Sequence, residues 1–194
     1  MTVKQARMQA KSMLSDKRFQ HTVNVKKMAV KLAEIYGEDP DKAALAAYLH
    51  DCAKELPREE LLRILRDNAI MAENAETRPA PVWHGVCAAI LARTQWGVTD
   101  EDVLSAVACH TAGKPNMTNL DKILFLADMT SAERSWPGVQ KLRRLERKNL
   151  DDAMMEALQQ TIGYVRKGGK PVDPLSAAAY QDLAEKHGRG KLTV

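Results

Sequence analysis

Apolar residues recur at α-helical spacing along almost the whole chain, and glycine or proline interrupts the pattern at intervals. The first such helix has Ser15 as a candidate N-cap and Gly37 as its closing residue. Its apolar stripe consists of Val25, Met28, Ala29, Leu32, Ala33 and Tyr36. Alternation of period two, which is typical of strands, is nearly absent, and the chain has only two phenylalanines. The sequence therefore predicts an all-α fold.

The later helices are predicted from the same spacing and from their stop signals. They cover DPDKAALAAYLHDCAKEL up to Pro57, PREELLRILRDNA, PVWHGVCAAILARTQWG up to Gly97, TDEDVLSAVACHTAG with Thr99 as cap, and NLDKILFLADMTSAER. A break at 136–138 precedes one long helix to Gly168, and DPLSAAAYQDLAEKHG forms the last helix. A chain of 194 residues without repeats is expected to fold as a single domain, 1–194.

Composition excludes several classes of protein. The chain is 45% hydrophobic and 28% charged, as expected for a globular protein, and its net charge of +4 permits an anionic partner. No apolar run is long enough to span a bilayer, and MTVKQARMQAK lacks the apolar core of a signal peptide. Three cysteines without a disulfide framework indicate a reducing compartment. We expect a cytoplasmic protein that does not bind membranes.

Four of the five histidines lie on apolar helix faces. They are His21, His50, His84 and His110, whereas His187 lies in a polar tail and is predicted to be a surface residue. One such histidine usually packs in the core with a backbone hydrogen bond. Four buried imidazoles need four partners, and a shared cation satisfies all of them as neutral lone-pair donors. The pattern therefore favours a metal site.

Two aspartates belong to the same predicted site. Asp51 adjoins His50, and Asp128 lies on the apolar side of ILFLAD. Six ligands exceed the four of one structural zinc, so two ions bridged by the Asp51 carboxylate are expected. Neighbouring helical residues diverge by about 100°, so His50 and Asp51 can share one ion only where the helix end distorts. Imidazole with carboxylate favours iron, manganese or zinc, and the three cysteines are predicted to be packing residues.

The motifs of this site resemble those of a known family. The matching stretches are RFQHT (18–22), LHDCAKEL (49–56), WHG (83–85), CHTAGKPNMTNLDKILFLAD (109–128) and ERSWPGVQKLR (133–143). They resemble the HD-domain metal-dependent phosphohydrolases, and in finer detail the YqeK family. The resemblance implies a helical bundle with a central dinuclear iron site. It also implies a ligand-bearing core at about 15–145, with C-terminal helices 146–194 packed on it.

The resemblance also implies an activity, the symmetrical hydrolysis of diadenosine tetraphosphate to two ADP. Its metal ligands would be His21, His50, Asp51, His84, His110 and Asp128, and its nucleotide contacts Arg18, Lys54, Thr111, Arg134, Val172, Asp173, Pro174 and Ser176. The helix beginning at VDPLS could present free amides to an anion, although Asp173 could equally be its N-cap. Here ADMTSAER replaces the family's Ile-Glu-Pro-like segment, and Ser176 replaces a threonine.

The expected mechanism is attack on a β-phosphorus by a hydroxide that bridges the two ions. Asp51 and Lys54 are the predicted catalytic residues, and Lys54 or Arg134 neutralises charge on the phosphoryl oxygens. Alternatives are hydrolysis of a deoxynucleotide or a pyrophosphorylated alarmone, a non-catalytic nucleotide sensor, and an RNA-associated protein. The basic run QKLRRLERKN (140–149) lacks interleaved aromatics and is better explained as a solvated helix face. A homodimer is left open.

Overall fold

A computed structural model describes residues 1–69 and 75–188, and within these ranges it contains ten α-helices and no strand. The all-α prediction is confirmed. The helices are α1 (Val3–Met13), α2 (Asp16–Tyr36), α3 (Pro40–Leu49), α4 (Arg58–Asp67), α5 (Trp83–Thr94), α6 (Glu101–Cys109), α7 (Asn119–Thr130), α8 (Val139–Leu145), α9 (Leu150–Lys167) and α10 (Pro174–Lys186). Two 3₁₀ turns, Ala75–Thr77 and Ala80–Val82, precede α5. The predicted end of the PREELLRILRDNA helix adjoins residues 70–74, which lie outside the described ranges.

Local capping chemistry sets the helix boundaries. The Ser15 side chain accepts the Arg18 amide at the start of α2, and Gly37 ends that helix with a left-handed φ of 70°, as predicted. The cap predicted at Thr99 is wrong. Asp100 is the N-cap of α6, because its carboxylate accepts the amides of Asp102 and Val103.

Three further boundaries differ from the predictions. The long helix after 138 is two helices, because Asn149 caps the start of α9 by accepting two backbone amides. The helix NLDKILFLADMTSAER ends early, since Ser131 adopts an extended conformation after Thr130. Helix α1 was not predicted, although Thr2 and Gln5 form a reciprocal capping box that the sequence contains.

Helix α3 lies at the centre of the packing and contacts α1, α2, α5, α6 and α7. Fully buried side chains such as Leu32, Leu49, Ile123 and Leu126 fill the space around it. Helix α9 packs on both α7 and α10, so the C-terminal helices are joined to the central bundle through α7. None of the helices in the described ranges is long and apolar enough to cross a membrane.

Candidate metal centre

The four histidines predicted as ligands converge at the carboxyl end of α3. The ring centroids of His21 and His50 lie 5.6 Å apart, those of His50 and His110 4.9 Å, and those of His84 and His110 5.0 Å. All four rings are buried, and Asp51 beside them is only 3% exposed. His187 is exposed and contacts Asp151, as a surface histidine would. The structure thus brings four helices to one polar cluster inside an apolar core.

The two oxygens of Asp51 face different histidines. Oδ1 lies 3.2 Å from Nε2 of His84 and 3.8 Å from Nε2 of His110. Oδ2 lies 3.5 Å from Nε2 of His50 and 3.8 Å from Nε2 of His21. A carboxylate placed between two pairs of imidazoles has the geometry of a bridging ligand. The ligand atoms accordingly form two groups, His21–His50–Asp51 and Asp51–His84–His110, each with all atoms within 4.8 Å of one another.

The end of α3 explains how adjacent residues join one group. The helix ends at Leu49, His50 is its C-cap, and Asp51 begins a turn. The chain therefore leaves regular helical geometry at the point where His50 and Asp51 would otherwise diverge. The distortion that the sequence required is present.

Three of the histidines have their tautomer set by a backbone carbonyl that lies shortly before them in the chain. Nδ1 of His50 donates to the Ala47 carbonyl at 2.7 Å. In the same way, Nδ1 of His84 donates to Pro81 at 2.9 Å and Nδ1 of His110 donates to Val107 at 2.8 Å. Each acceptor lies three residues before its histidine. A proton on Nδ1 leaves the lone pair on Nε2, which is the form that binds a metal.

These tautomers place lone pairs against one another. Nε2 of His84 lies 3.2 Å from Nε2 of His110, and neither atom carries a proton to share. Nε2 of His50 and Nε2 of His21 are buried and have no hydrogen-bond partner in the described part of the chain. A cation between these atoms satisfies all of them at once. The residues present therefore fit a divalent metal pair.

Burial and the neighbouring charges shift the pKa values of the cluster. Burial, reinforced by His50 and His84, lowers the pKa of His110 to about 3. Burial also lowers the pKa of His84, whereas the pKa of His50 is raised because the Asp51 carboxylate outweighs burial. The pKa of Asp51 is held well below its usual range, because His50 and His84 outweigh the burial that would raise it. The carboxylate stays charged, and two of the imidazoles stay neutral.

Asp128 and Glu133 complete the surroundings of His21. Oδ1 of Asp128 lies 3.0 Å from Nε2 of His21, where it could share an ion with that ring. Nδ1 of His21 donates a short hydrogen bond to Glu133, whose carboxylate also accepts Asn24 at 2.7 Å and Ser131 at 2.8 Å. The pKa of Glu133 falls to about 2, because these hydrogen bonds, that of His21 first, outweigh its burial. The sequence analysis missed Glu133, which orients His21.

Three cations predicted to contact nucleotide lie around the cluster. Nη1 of Arg18 lies 3.0 Å from Oδ2 of Asp51, and Nζ of Lys54 lies 3.4 Å from Nε2 of His84. Arg134 donates from Nη2 to Oδ1 of Asp128 at 2.6 Å and from Nε to the Asp128 carbonyl at 2.9 Å. Arg18, Lys54 and Arg134 thus place positive charge beside the two carboxylates, where an anionic substrate would approach.

The remaining predicted contacts have more mixed surroundings. The Thr111 hydroxyl is buried beside His110 and makes no hydrogen bond within the described ranges. The carboxylate of Asp173 accepts Arg78 at 2.8 Å and the Leu175 amide at 2.8 Å, and the Asp173 carbonyl accepts the Ser176 amide. Asp173 is therefore the N-cap of α10, the alternative left open by the sequence, and its side-chain and backbone oxygens accept these two amides.

The segment at 172–176 is nevertheless linked to the metal centre. Arg78, which holds Asp173, accepts through its carbonyl the indole N–H of Trp83 at 3.0 Å. Trp83 is the residue before the predicted ligand His84, so Arg78 connects the 172–176 segment to the chain beside the cluster. Contact of Val172 and Pro174 with nucleotide stays a prediction.

The cysteines and the basic run have structural surroundings. The thiols of Cys52 and Cys109 lie against the carbonyls of Tyr48 and Ala106, and burial raises the pKa of both thiols. Neutral thiols of this kind are packing residues. In the basic run, Arg143 donates to the carbonyls of Thr130, Ser131 and Arg134, and so closes the end of α7.

A helical bundle with a buried histidine–aspartate cluster suited to two ions belongs to the metal-dependent hydrolases of HD type. The profile of the HD domain family matches residues 18–133, and the chain belongs to this family.

Its relatives refine this assignment. The chain is 36% identical over 173 residues to a Bacillus subtilis protein named bis(5′-nucleosyl)-tetraphosphatase, symmetrical, covering 89% of this chain and 92% of that protein. A protein of the same name from Halalkalibacterium halodurans is 38% identical over 170 residues, covering 88% and 90%. A solved structure from Clostridium acetobutylicum, described as a predicted HD superfamily hydrolase involved in NAD metabolism, superposes with a TM-score of 0.90 at 33% identity, covering 96% of this chain and 98% of that one.

Proposed function

We propose that this protein hydrolyses diadenosine tetraphosphate symmetrically to two ADP. The observation that carries the proposal is the placement of Asp51, with one oxygen facing each pair of histidines. This arrangement suits two ions close enough to act on one phosphorus. The names of the relatives supply the substrate, since two of them are called symmetrical bis(5′-nucleosyl)-tetraphosphatases.

Six side chains would hold the two ions. His84 and His110 share the Oδ1 side of Asp51, whereas the Oδ2 side has His21 and His50, with Asp128 against His21. When bound, the ions supply an activated water and neutralise charge on the phosphates. We propose iron, since the ligand set of nitrogen with carboxylate oxygen suits it, and the same set is compatible with manganese or zinc.

The chain's own residues position and neutralise the substrate. The side chains of Arg18, Lys54 and Arg134 lie around the cluster, where they can bind the polyphosphate as it enters from solvent. The Lys54 ammonium, held beside His84, is placed to stabilise the negative charge that grows on the phosphoryl oxygens. Thr111 offers a hydroxyl next to His110. Because the four imidazoles and Asp51 are buried, little water screens their charge interactions with the substrate.

Product analysis tests the proposal. Protein purified without oxygen and loaded with iron is incubated with diadenosine tetraphosphate, and its products are separated by chromatography. ADP alone is expected, whereas ATP with AMP would refute symmetrical cleavage. A panel with deoxynucleotides and a pyrophosphorylated alarmone compares the alternative substrates, and chelated protein is the control. Metal analysis of the same sample checks for two ions per chain.

A further inference from the structure

A cavity lies beside the metal centre, between the end of α7 and helix α9. Its volume is about 720 Å³, within the range that holds small-molecule ligands. Its lining includes Met129, Arg134, Trp136, Gln159, Tyr164 and Lys167. We propose that this α7–α9 cavity binds the nucleoside of the second ADP half of the substrate, the half distal to the Lys54–Thr111 side. The inference rests on the proposed function and extends it.

The cavity begins where the metal centre ends. Met129 in its lining directly follows the predicted ligand Asp128. Arg134 belongs to both places, because its guanidinium holds Asp128 at 2.6 Å while its side chain, 38% exposed, lines the cavity. A polyphosphate that leaves the metals on this side therefore meets Arg134 and continues into the cavity.

One wall is a fixed aromatic ring. The indole N–H of Trp136 donates to the Met129 carbonyl at 3.0 Å, and the ring packs partly against the core. Gly138 allows the ring to stay there: its φ is +103°, and a Cβ at this position would lie 3.1 Å from the ring. The ring is therefore held in place before any ligand arrives.

A second aromatic ring lies at the rim. Tyr164 is 81% exposed, more than the other two large exposed hydrophobics in the described chain, Met8 and Ile35. Its ring has little packing to lose and lines a cavity that contains a fixed indole. Two aromatic rings at one recess are the arrangement that purine bases stack on.

The polar lining suits the rest of an adenine nucleotide. Gln159 donates from its amide nitrogen to the Tyr180 hydroxyl at 2.8 Å, and its carbonyl oxygen keeps the capacity to accept from an exocyclic amino group. Lys167 adds a second cation to Arg134 at the cavity. An anionic, purine-bearing ligand matches this combination of two rings, an amide and two cations.

The symmetry of the substrate leaves two nucleosides to be placed. Cleavage of the central phosphoanhydride divides diadenosine tetraphosphate into identical halves, each with one adenosine. Lys54 and Thr111 lie beside His84 and His110, the two predicted ligands on the Oδ1 side of Asp51. The α7–α9 cavity lies beyond Asp128, on the side of Arg134. The two halves can therefore extend in different directions from one metal pair.

Substitution of Tyr164 tests the assignment with two substrates. Tyr164→Ala should lower kcat/KM for diadenosine tetraphosphate roughly tenfold or more, the range expected for loss of one base stack. It should leave kcat/KM for adenosine 5′-tetraphosphate, which has one nucleoside, nearly unchanged. Tyr164→Phe keeps the ring and should restore the activity. Ile35→Ala, at an exposed residue of α2, is the matched control.

Binding of ADP gives a readout that needs no turnover. Calorimetry on metal-loaded wild type should find two ADP per chain, and Tyr164→Ala should bind one. A single ADP on the wild type, or an equal loss of activity with both substrates, would overturn the second subsite, as would an unchanged Tyr164→Ala. Each of these outcomes leaves symmetrical hydrolysis standing. Failure of the wild type to release ADP from diadenosine tetraphosphate instead refutes the proposed function, and the subsite with it.

Discussion

Asp51 and Glu146, two of the carboxylates buried in the described chain, have pKa values that are shifted in opposite directions. Asp51, in the metal centre, is 3% exposed and its pKa is lowered, because imidazoles outweigh its burial. Glu146, between α8 and α9, is fully buried, and burial raises its pKa to about 7. Both oxygens of Glu146 lack a hydrogen bond to any residue of the described chain. Burial alone therefore does not decide the charge of a carboxylate; its neighbours do.

The same comparison distinguishes a ligand-binding site, around Asp51, from a buried structural residue, Glu146. Around Asp51, the lone pairs of several imidazoles face one another without a donor. The buried charge of Glu146, in contrast, can be neutralised by a single proton. The backbone carbonyl of Glu146 accepts the Tyr36 hydroxyl at 2.7 Å, while Thr130 and nearby arginines only partly offset the burial of its carboxyl group. The first environment predicts a ligand, and the second predicts a cost in stability that depends on pH.

Removal of Asp51 should have the largest effect. Asp51→Ala takes away the atom pair that faces all four histidines, so we expect loss of both ions and a fall in activity of about a thousandfold or more. Metal analysis and an activity assay on the purified variant measure both. His187→Ala, at an exposed histidine, should retain metal and activity. A full metal complement in Asp51→Ala would show that the carboxylate is not the bridge.

Lys54→Met should show whether the positive charge of Lys54 acts on the substrate or stabilises the metal cluster. The variant keeps the side-chain stem and should hold both ions, yet we expect kcat to fall by about a hundredfold. Metal analysis beside steady-state kinetics distinguishes the two roles. Parallel loss of metal and activity would mean that Lys54 supports the cluster, and not the reaction.

Glu133→Gln should weaken only one half of the cluster. The carboxylate accepts the Nδ1 proton of His21, so its neutral replacement should lower affinity for the ion at His21 by about tenfold. The ion held by His84 and His110 should be unaffected. Competition with a chelator, followed ion by ion, measures the two affinities. Glu101→Gln, at an exposed glutamate paired with Arg93, is the control, and equal release of both ions would contradict the assignment.

Glu146→Gln should have the smallest effect on activity and an effect on stability that depends on pH. The folded-state pKa of about 7 lies above the ordinary 4.5, so folding favours the protonated acid. Stability should therefore fall as pH rises from about 4.5 to 7, and the glutamine variant should lack this fall. At pH 8 the variant should be more stable by on the order of 2 kcal/mol. Denaturant titrations at pH 5 and pH 8 measure how the free energy of unfolding changes with pH. An equal change in the wild type and the variant would refute the raised pKa.

The sequence was most informative where a residue's own helix determines its position. His21, His84 and His110 follow the apolar stripes of their helices, so their convergence could be predicted from spacing. Glu133 could not be found in this way, because it lies after the end of α7 and reaches His21 across 112 positions of the chain. The break at Asn149 was missed because apolar spacing continues through it.

Other expectations concern properties that the fold of a single chain does not determine. The identity of the metal depends on supply as well as on ligands, and the homodimer and the cytoplasmic location stay predictions from the sequence. The α7–α9 cavity was also beyond reach, since Trp136 and Tyr164 are 28 positions apart and share no helical stripe. Their proximity follows from the way α9 folds back on α7.

The rings of three predicted ligands, His50, His84 and His110, are each held by the carbonyl of a residue three positions earlier. Such a bond forms as soon as its own turn forms and needs no ion. The rings are therefore oriented before an ion binds. Loss of an ion and binding of another do not require the bundle to unfold. We expect exchange between divalent ions to be limited by access to the cluster, so the metal found after purification should reflect the growth medium. Cells short of one metal could then keep the enzyme loaded with another.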